Sequence, residues 1–218
     1  MCPYETWKQA NLIFCEIRQC SWIREPANTV SNLGFLFVGI YLLAKYYKTP
    51  QLRVIGLAAI LVSLFSGFFH ASATYVGEVL DFGSMYMLMG GLAMFNIQRM
   101  ALISVKTSEI LALVMSVLGM ITLAFDVRLG SYIFASLILV ALILEGILYR
   151  KMSPRANYKF FGLAILCNTT AYVIWFLDIK KIICVPDSLF QGHAVWHLMG
   201  GFTFLFIAKF YRQFSDVS

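Results

Sequence analysis

The chain holds three histidines, and two of them lie four residues apart in His193-Ala-Val-Trp-His197. On a helix that spacing puts both imidazoles on one face, one turn apart. A helix supplies two ligands to a single zinc ion in this way. Structural zinc sites fill all four positions with protein, whereas catalytic sites supply three ligands and leave the fourth open. His70 is the candidate third ligand. Ser66 precedes His70 by four residues and shares its helix face. Asp81 follows, placed to take a proton from water or to orient a ligand. Two other constellations fit less well. A Ser66–His70–Asp81 triad leaves the His193/His197 pair without a role, and bis-histidine haem ligation wastes one imidazole of the pair. A lone histidine at a helix end is ordinarily an interfacial residue with a satisfied hydrogen bond. Three converging with a serine and an aspartate argue for a metal site instead.

The elements that must position these residues follow from composition. Of 218 residues, 60% are hydrophobic and 13% charged, against about 45–50% and about 25% in soluble domains. An ordinary soluble enzyme is excluded. A membrane-spanning helix takes about 20 apolar residues, so the length holds seven with short connections and no appended soluble domain. Apolar stretches fall at about 28–47, 54–74, 79–98, 109–125, 130–149, 157–177 and 190–210, separated by charged or proline-bearing breakers such as Lys48-Thr49-Pro50 and Asp126-Val127-Arg128. The fold class read from this pattern is all-α integral membrane, a seven-transmembrane helix bundle. Residues 1–26 form an extracytoplasmic segment, 27–212 the bundle and 213–218 a tail. Residues 1–26 lack an apolar core and a small-residue cleavage site, so no cleaved signal peptide is expected. The absence of an internal repeat gives an inverted-repeat transporter no support. Alternating topology brings the end of span two and the starts of spans three and seven to the same side. His70, Asp81, His193 and His197 therefore meet at one depth, where each ionisable group costs at least about 2.5–3.5 kcal/mol at the bilayer centre and asks for a reason.

Net charge is +6. In a chain of this composition surplus Lys and Arg set topology, and nucleic acid is not an expected partner. The N-terminal side collects Lys8, Arg18, Arg24, Arg128, Lys180 and Lys181, and the larger remainder of the 17 basic residues, Arg155 among them, falls on the other side. The bias places the N-terminus outside the cytoplasm or in a lumen and the C-terminus in the cytoplasm. Glu145 is expected to snorkel toward Arg150. Asn168, Thr169 and Thr170 are expected to hydrogen-bond between helices, and the Gly90-Gly91 and Gly200-Gly201 pairs to permit close packing. The 19 Phe, 11 Tyr and 10 Met suit lipid contact, core packing or an acyl-chain pocket, and composition does not separate these uses.

The pattern Ser66-Gly-Phe-Phe-His70, Asp81 and His193-Ala-Val-Trp-His197 resembles the alkaline ceramidase family, within the seven-span hydrolases that also include the adiponectin and progestin receptors. Glu25-Pro-Ala-Asn28-Thr29-Val-Ser31-Asn32 is similar to that family's opening of span one. Tyr75, Leu80-Asp81 and Trp175-Phe-Leu-Asp178 with Cys184 match further short stretches. The resemblance implies zinc on His70, His193 and His197, lowering the pKa of water and polarising an amide carbonyl. It implies that Asp81 moves the proton from water to the leaving amine and that Ser66 hydrogen-bonds the water or the oxyanion. The implied activity is zinc-dependent amide hydrolysis of ceramide or a related N-acyl lipid to a long-chain base and a fatty acid. The membrane and this lipid are then its partners, with no obligate protein partner inferred.

One departure concerns calcium. Eukaryotic members carry an N-terminal calcium cluster, matched here by Cys15-Glu16 and Glu25, but Arg18 and Ile13 stand where the family has oxygen ligands. Hard cations need six or more oxygens, which puts calcium in doubt. Arg18 or Arg24 is the alternative neutraliser of Glu16 and Glu25. The family's cysteine pair implies a disulfide from Cys15 or Cys20 to Cys184. Two other classes compete: a seven-transmembrane receptor with a structural zinc site, and a metal or proton transporter. An open coordination position favours the enzyme.

Overall fold

A computed structural model of the chain describes residues 2–152 and 156–214. Arg155 and residues 215–218 of the expected tail lie outside the described residues. The described chain is helical, with one isolated antiparallel bridge, Gln9 to Thr74, and no named strand. The helices are α1 Pro26–Ser31, α2 Leu33–Tyr46, α3 Pro50–Ser72, α4 Tyr75–Arg99, α5 Val105–Phe125, α6 Val127–Met152, α7 Lys159–Ile179 and α8 Gly192–Tyr211, followed by a 3₁₀ turn at Arg212–Phe214.

Local chemistry sets these boundaries. Pro26 and Pro50 open α1 and α3, where the missing N–H costs nothing. Thr74 accepts from the Gly77 N–H at the start of α4, and Ser104 accepts from Thr107 at the start of α5. Asp126 caps α6 through the N–H groups of Arg128 and Leu129. The α3–α4 connection is only Ala73 and Thr74, with Ala73 in the left-handed region at φ 53°. Such a tight reversal sets the end of α3 against the start of α4. A Cβ on Gly77 would stand 2.8 Å from the Phe69 Cα, so only glycine permits that approach.

Six segments are long and apolar enough to cross a membrane: Pro26–Tyr46 (α1 and α2 together), Pro50–Ser72, Val105–Phe125, Val127–Lys151, Lys159–Ile179 and Gly192–Phe214. The expected third span, α4, has the length, at 25 residues, but is not among the six. Glu78 and Asp81 lie in it, both buried. It packs on α3, α5 and α6, so its polar groups meet protein rather than lipid. The core is assembled around α3 and α4, with Leu52, Ile55, Ala58 and Ala59 of α3 and Ala93 and Phe95 of α4 fully or nearly fully buried. The Gly200-Gly201 pair packs as expected: a Cβ on Gly200 would meet Phe35 at 2.5 Å, and one on Gly201 the Gly34 carbonyl oxygen at 3.1 Å. A Cβ on Gly90 would meet Met115 at 3.1 Å. Around this centre, α6 packs on α4 and α5, whereas α7 packs on α8. The consecutive helices α6 and α7 are thus not packed partners along their length.

Two polar expectations are corrected. Glu145 does not pair with Arg150; it is buried, bonded to Arg99 of α4 at 2.5 Å and accepting from the Tyr158 hydroxyl at 2.7 Å. Facing inward from α6, it finds a buried cation instead of one at the interface. Asn168, Thr169 and Thr170 are exposed, and the Thr170 hydroxyl donates to Leu166 of its own helix. The face of α7 that meets α8 carries Ala164, Ala171 and Asp178, which leaves the Asn-Thr-Thr stretch turned outward.

Candidate active site and metal centre

The five residues singled out by the sequence converge at one end of the bundle. Ser66 and His70 come from the last turns of α3, Asp81 from the second turn of α4, and His193 and His197 from the first turns of α8. The N-terminal segment folds over this end. Ala10 N–H donates to the Ala73 carbonyl, Tyr75 N–H to Lys8, Arg24 N–H to Ala71 and Glu25 N–H to His70. Two disulfides fasten the segment, Cys2–Cys20 and Cys15–Cys184. Of the two partners left open for Cys184, it takes Cys15, and Cys20 closes a local loop with Cys2. Asp178, at the end of α7, accepts from the Cys15 N–H with one oxygen and from the His193 N–H with the other, each at 3.1 Å. One carboxylate thereby ties the N-terminal segment to the first turn of α8.

The three imidazoles are buried, His70 completely, and their ligand atoms all lie within 4.8 Å of one another. Hydrogen bonds settle which nitrogen of two rings is free. The His70 Nδ1–H donates to the Glu25 carboxylate at 2.6 Å, which leaves Nε2 a lone pair. The Ser31 hydroxyl donates to the Asn28 carbonyl, so the His197 Nδ1–H donates to the Ser31 oxygen at 2.7 Å, and its Nε2 is likewise free. Against this, His193 Nε2 lies 3.1 Å from His70 Nε2, and His193 Nδ1 is buried without a partner. Phe14 stacks on the His193 ring at 3.7 Å between centroids and fixes its plane.

This donor set fits zinc. Zn–N bonds of about 2.0–2.1 Å in a tetrahedron put two nitrogens about 3.3–3.4 Å apart, close to the 3.1 Å between the Nε2 atoms of His70 and His193. Neutral imidazoles with Nδ1 held by a carboxylate and a hydroxyl are the usual arrangement of metal-bound histidine. Beside them the Ser66 hydroxyl lies 3.4 Å from His197 Nε2. The Asp81 carboxylate is largely buried and within reach of both Ser66 and the His70 ring. A carboxylate can accept a proton from water and a hydroxyl can donate to a carbonyl oxygen.

The acidic residues of the N-terminal segment are satisfied internally. Arg18 Nε donates to Glu25 at 2.9 Å, and its Nη2 donates to the Leu12 carbonyl at 2.7 Å. Arg24 turns to Gln9 instead. Glu16 accepts from the N–H groups of Ala27 and Asn28. Burial raises the Glu16 carboxyl above its ordinary range, against the pull of those two amide bonds. Burial also acts upward on Glu25, but the hydrogen bond from His70 and the Arg18 guanidinium outweigh it and hold this carboxyl low.

Glu25, Ser31 and Phe14 contact the histidines, and no motif spacing announces that. Glu25 and Ser31 lie within the stretch similar to the family's span-one opening, which gives them no role by itself. The family model described as Ceramidase matches residues 8–216, nearly the whole chain. The chain belongs to the ceramidase family. Human alkaline ceramidase 1 (Homo sapiens) is 23% identical to it over 211 residues, which cover 91% of this chain and 77% of the human one. The match in this ceramidase-family protein runs from the N-terminal segment over the site through α8, so all five candidate residues and Glu25 lie within it.

Proposed function

We propose that this ceramidase-family protein is an intramembrane zinc-dependent amidase that hydrolyses ceramide or a related N-acyl lipid to a long-chain base and a fatty acid. The observation that carries this reading is the convergence of three buried imidazoles beside a carboxylate and a hydroxyl. Family membership and the name of the human relative supply the substrate class. His70, His193 and His197 hold the zinc, with Glu25 and Ser31 orienting two of the rings. When bound, zinc polarises an amide carbonyl and makes water a nucleophile near neutral pH. Asp81 accepts a proton as water oxygen bonds to the carbonyl carbon, then gives that proton to the nitrogen as the C–N bond breaks. Ser66 donates to the oxygen on which negative charge develops. The N-terminal segment and Phe14 exclude bulk water from the extracytoplasmic end.

We further infer that α4 crosses the membrane as the seventh, innermost span and that residues 1–26, 27–212 and 213–218 are the outer segment, bundle and tail. The N-terminus lies outside the cytoplasm, a placement supported by the basic-residue bias and by two disulfides on the N-terminal side, since such bonds persist in oxidising compartments. The test is purified protein incubated with a panel of N-acyl lipids and read by mass spectrometry. Release of free base and fatty acid from ceramide, lost with the zinc on chelation and restored by adding it, is expected. Full zinc occupancy in both His193→Ala and His197→Ala, or no amide cleavage across the panel, would overturn the reading.

A further inference from the structure

Glu25 is the buried partner of His70, yet a carboxylate with 2% side-chain exposure does not hold its place alone. An unpaired buried carboxylate is costly, and one that orients a metal ligand must also be immobile. The structure meets both needs with one side chain. Arg18 is largely shielded in the same segment, its side chain 16% exposed. Its Nε meets the Glu25 oxygen that faces away from His70, while its Nη2 meets the Leu12 carbonyl. The other Glu25 oxygen takes the His70 Nδ1–H at 2.6 Å and the Asn28 amide at 3.3 Å. Leu12, Arg18, Glu25 and His70 therefore form one continuous relay from the covering segment to the site. The guanidinium brings a permanent positive charge to within 2.9 Å of the Glu25 carboxylate. Leu12 and Arg18 also bracket Cys15, which the disulfide to Cys184 anchors, so the relay starts from a fastened loop.

Resting on the metal reading above, we propose that Arg18 is a positioning residue: a built-in cation that holds Glu25 and, through it, sets the orientation of the His70 ligand. One Glu25 oxygen and the Leu12 carbonyl are claimed by this guanidinium, the other Glu25 oxygen by His70 and Asn28, and those of Glu16 by the amides of α1. The covering segment therefore takes its positive charge from the chain itself, and an added divalent cation has no part in orienting His70.

The test compares the purified full-length protein with Arg18→Gln and Arg18→Lys. Zinc retention is measured against a chromophoric chelator, and the visible spectrum is recorded after cobalt(II) replacement. Removing an outer partner of a metal ligand costs about 10–100-fold in metal affinity. Acting one residue further out, Arg18→Gln should lose zinc about tenfold more readily and shift the cobalt bands. Arg18→Lys keeps the charge and should stay within about threefold of wild type with an unaltered spectrum. Added calcium should leave wild-type zinc retention unchanged. A wild-type cobalt spectrum and zinc retention in Arg18→Gln would overturn the proposal while leaving the zinc site standing. Several-fold tightening of wild-type zinc retention by calcium would overturn it too. Should Arg18→Gln fail to fold, Arg18→Lys decides: wild-type cobalt bands support the built-in cation, and shifted bands overturn it. A wild-type protein that binds no stoichiometric zinc would remove the metal reading itself, an outcome plainly distinct from the others.

Discussion

At the scale of single residues, the proposed mechanism divides the site into groups that would hold the metal and groups that would move protons, and the two should separate on mutation. Asp81→Asn removes a proton acceptor but touches none of the three imidazole nitrogens. It should keep wild-type zinc content and lose about 10²–10⁴-fold in turnover, checked by metal analysis beside a ceramide hydrolysis assay. Ser66→Ala should lose less, because one hydroxyl donor is removed. Ser31→Ala is the complementary case. Without the hydroxyl oxygen, the His197 Nδ1–H has no acceptor, and zinc should come off about tenfold more readily in a chelator competition. The sequence made this convergence legible because spacing on a helix carries it: His193 with His197, and Ser66 with His70. It could not make Ser31, Glu25 or Phe14 legible in the same way. Their contacts to histidines 45 to 179 positions away exist only after the N-terminal segment folds over the end of the bundle.

At the scale of elements, the apolar pattern located the described helices to within a few residues, because breakers such as Thr49-Pro50 and Asp126 stand at real helix starts. It did not reveal that α4 would be wrapped by protein. Burial of Glu78 and Asp81 needs neighbours far off in sequence, Asn11 of the N-terminal segment bonding Glu78 among them, and one-dimensional hydropathy cannot say which neighbours a helix has. The N-terminal segment was legible as polar, but its fastening was not. Cys15–Cys184 joins residues 169 apart in sequence, closing most of the chain into a loop. Breaking it as Cys184→Ser should cost about 2–4 kcal/mol, seen as a lower melting temperature in detergent. Because Asp178 bonds both Cys15 and His193, the same variant should also loosen zinc. Cys2–Cys20 closes a short loop with no such link to α8, and Cys2→Ser should leave zinc retention near wild type.

At the scale of the whole molecule, chemistry is gathered at one end and a second polar cluster ties the other. Arg99 of α4 donates to Asn96 and to Glu145 of α6. Tyr158, which precedes α7, donates to Glu145, and Tyr211 of α8 donates to Asn96. The Arg99 guanidinium lies over the Phe214 ring at 3.6 Å. The cluster thereby ties α4, α6 and α8 to the residue that opens α7. An inward-facing glutamate on an outer helix looks, in sequence, the same as one that snorkels, so this clasp was not legible beforehand. Both charges are nearly fully buried, at 5% and 3% side-chain exposure, which fixes what mutation should do. Glu145→Leu strips the partner from a buried guanidinium and should destabilise by about 3–5 kcal/mol. Replacing both, as Arg99→Met with Glu145→Leu, removes the stranded charge and should recover most of that loss, since a well-packed apolar pair is often as stable as the ion pair it replaces. Thermal melts of the two variants and wild type measure both effects. A double variant no more stable than Glu145→Leu would mean that the pair's hydrogen bonds to Asn96 and Tyr158, rather than its charge balance, hold this end together. Zinc content should be unchanged in the double variant, because none of the cluster's residues bonds to the residues that hold the imidazoles.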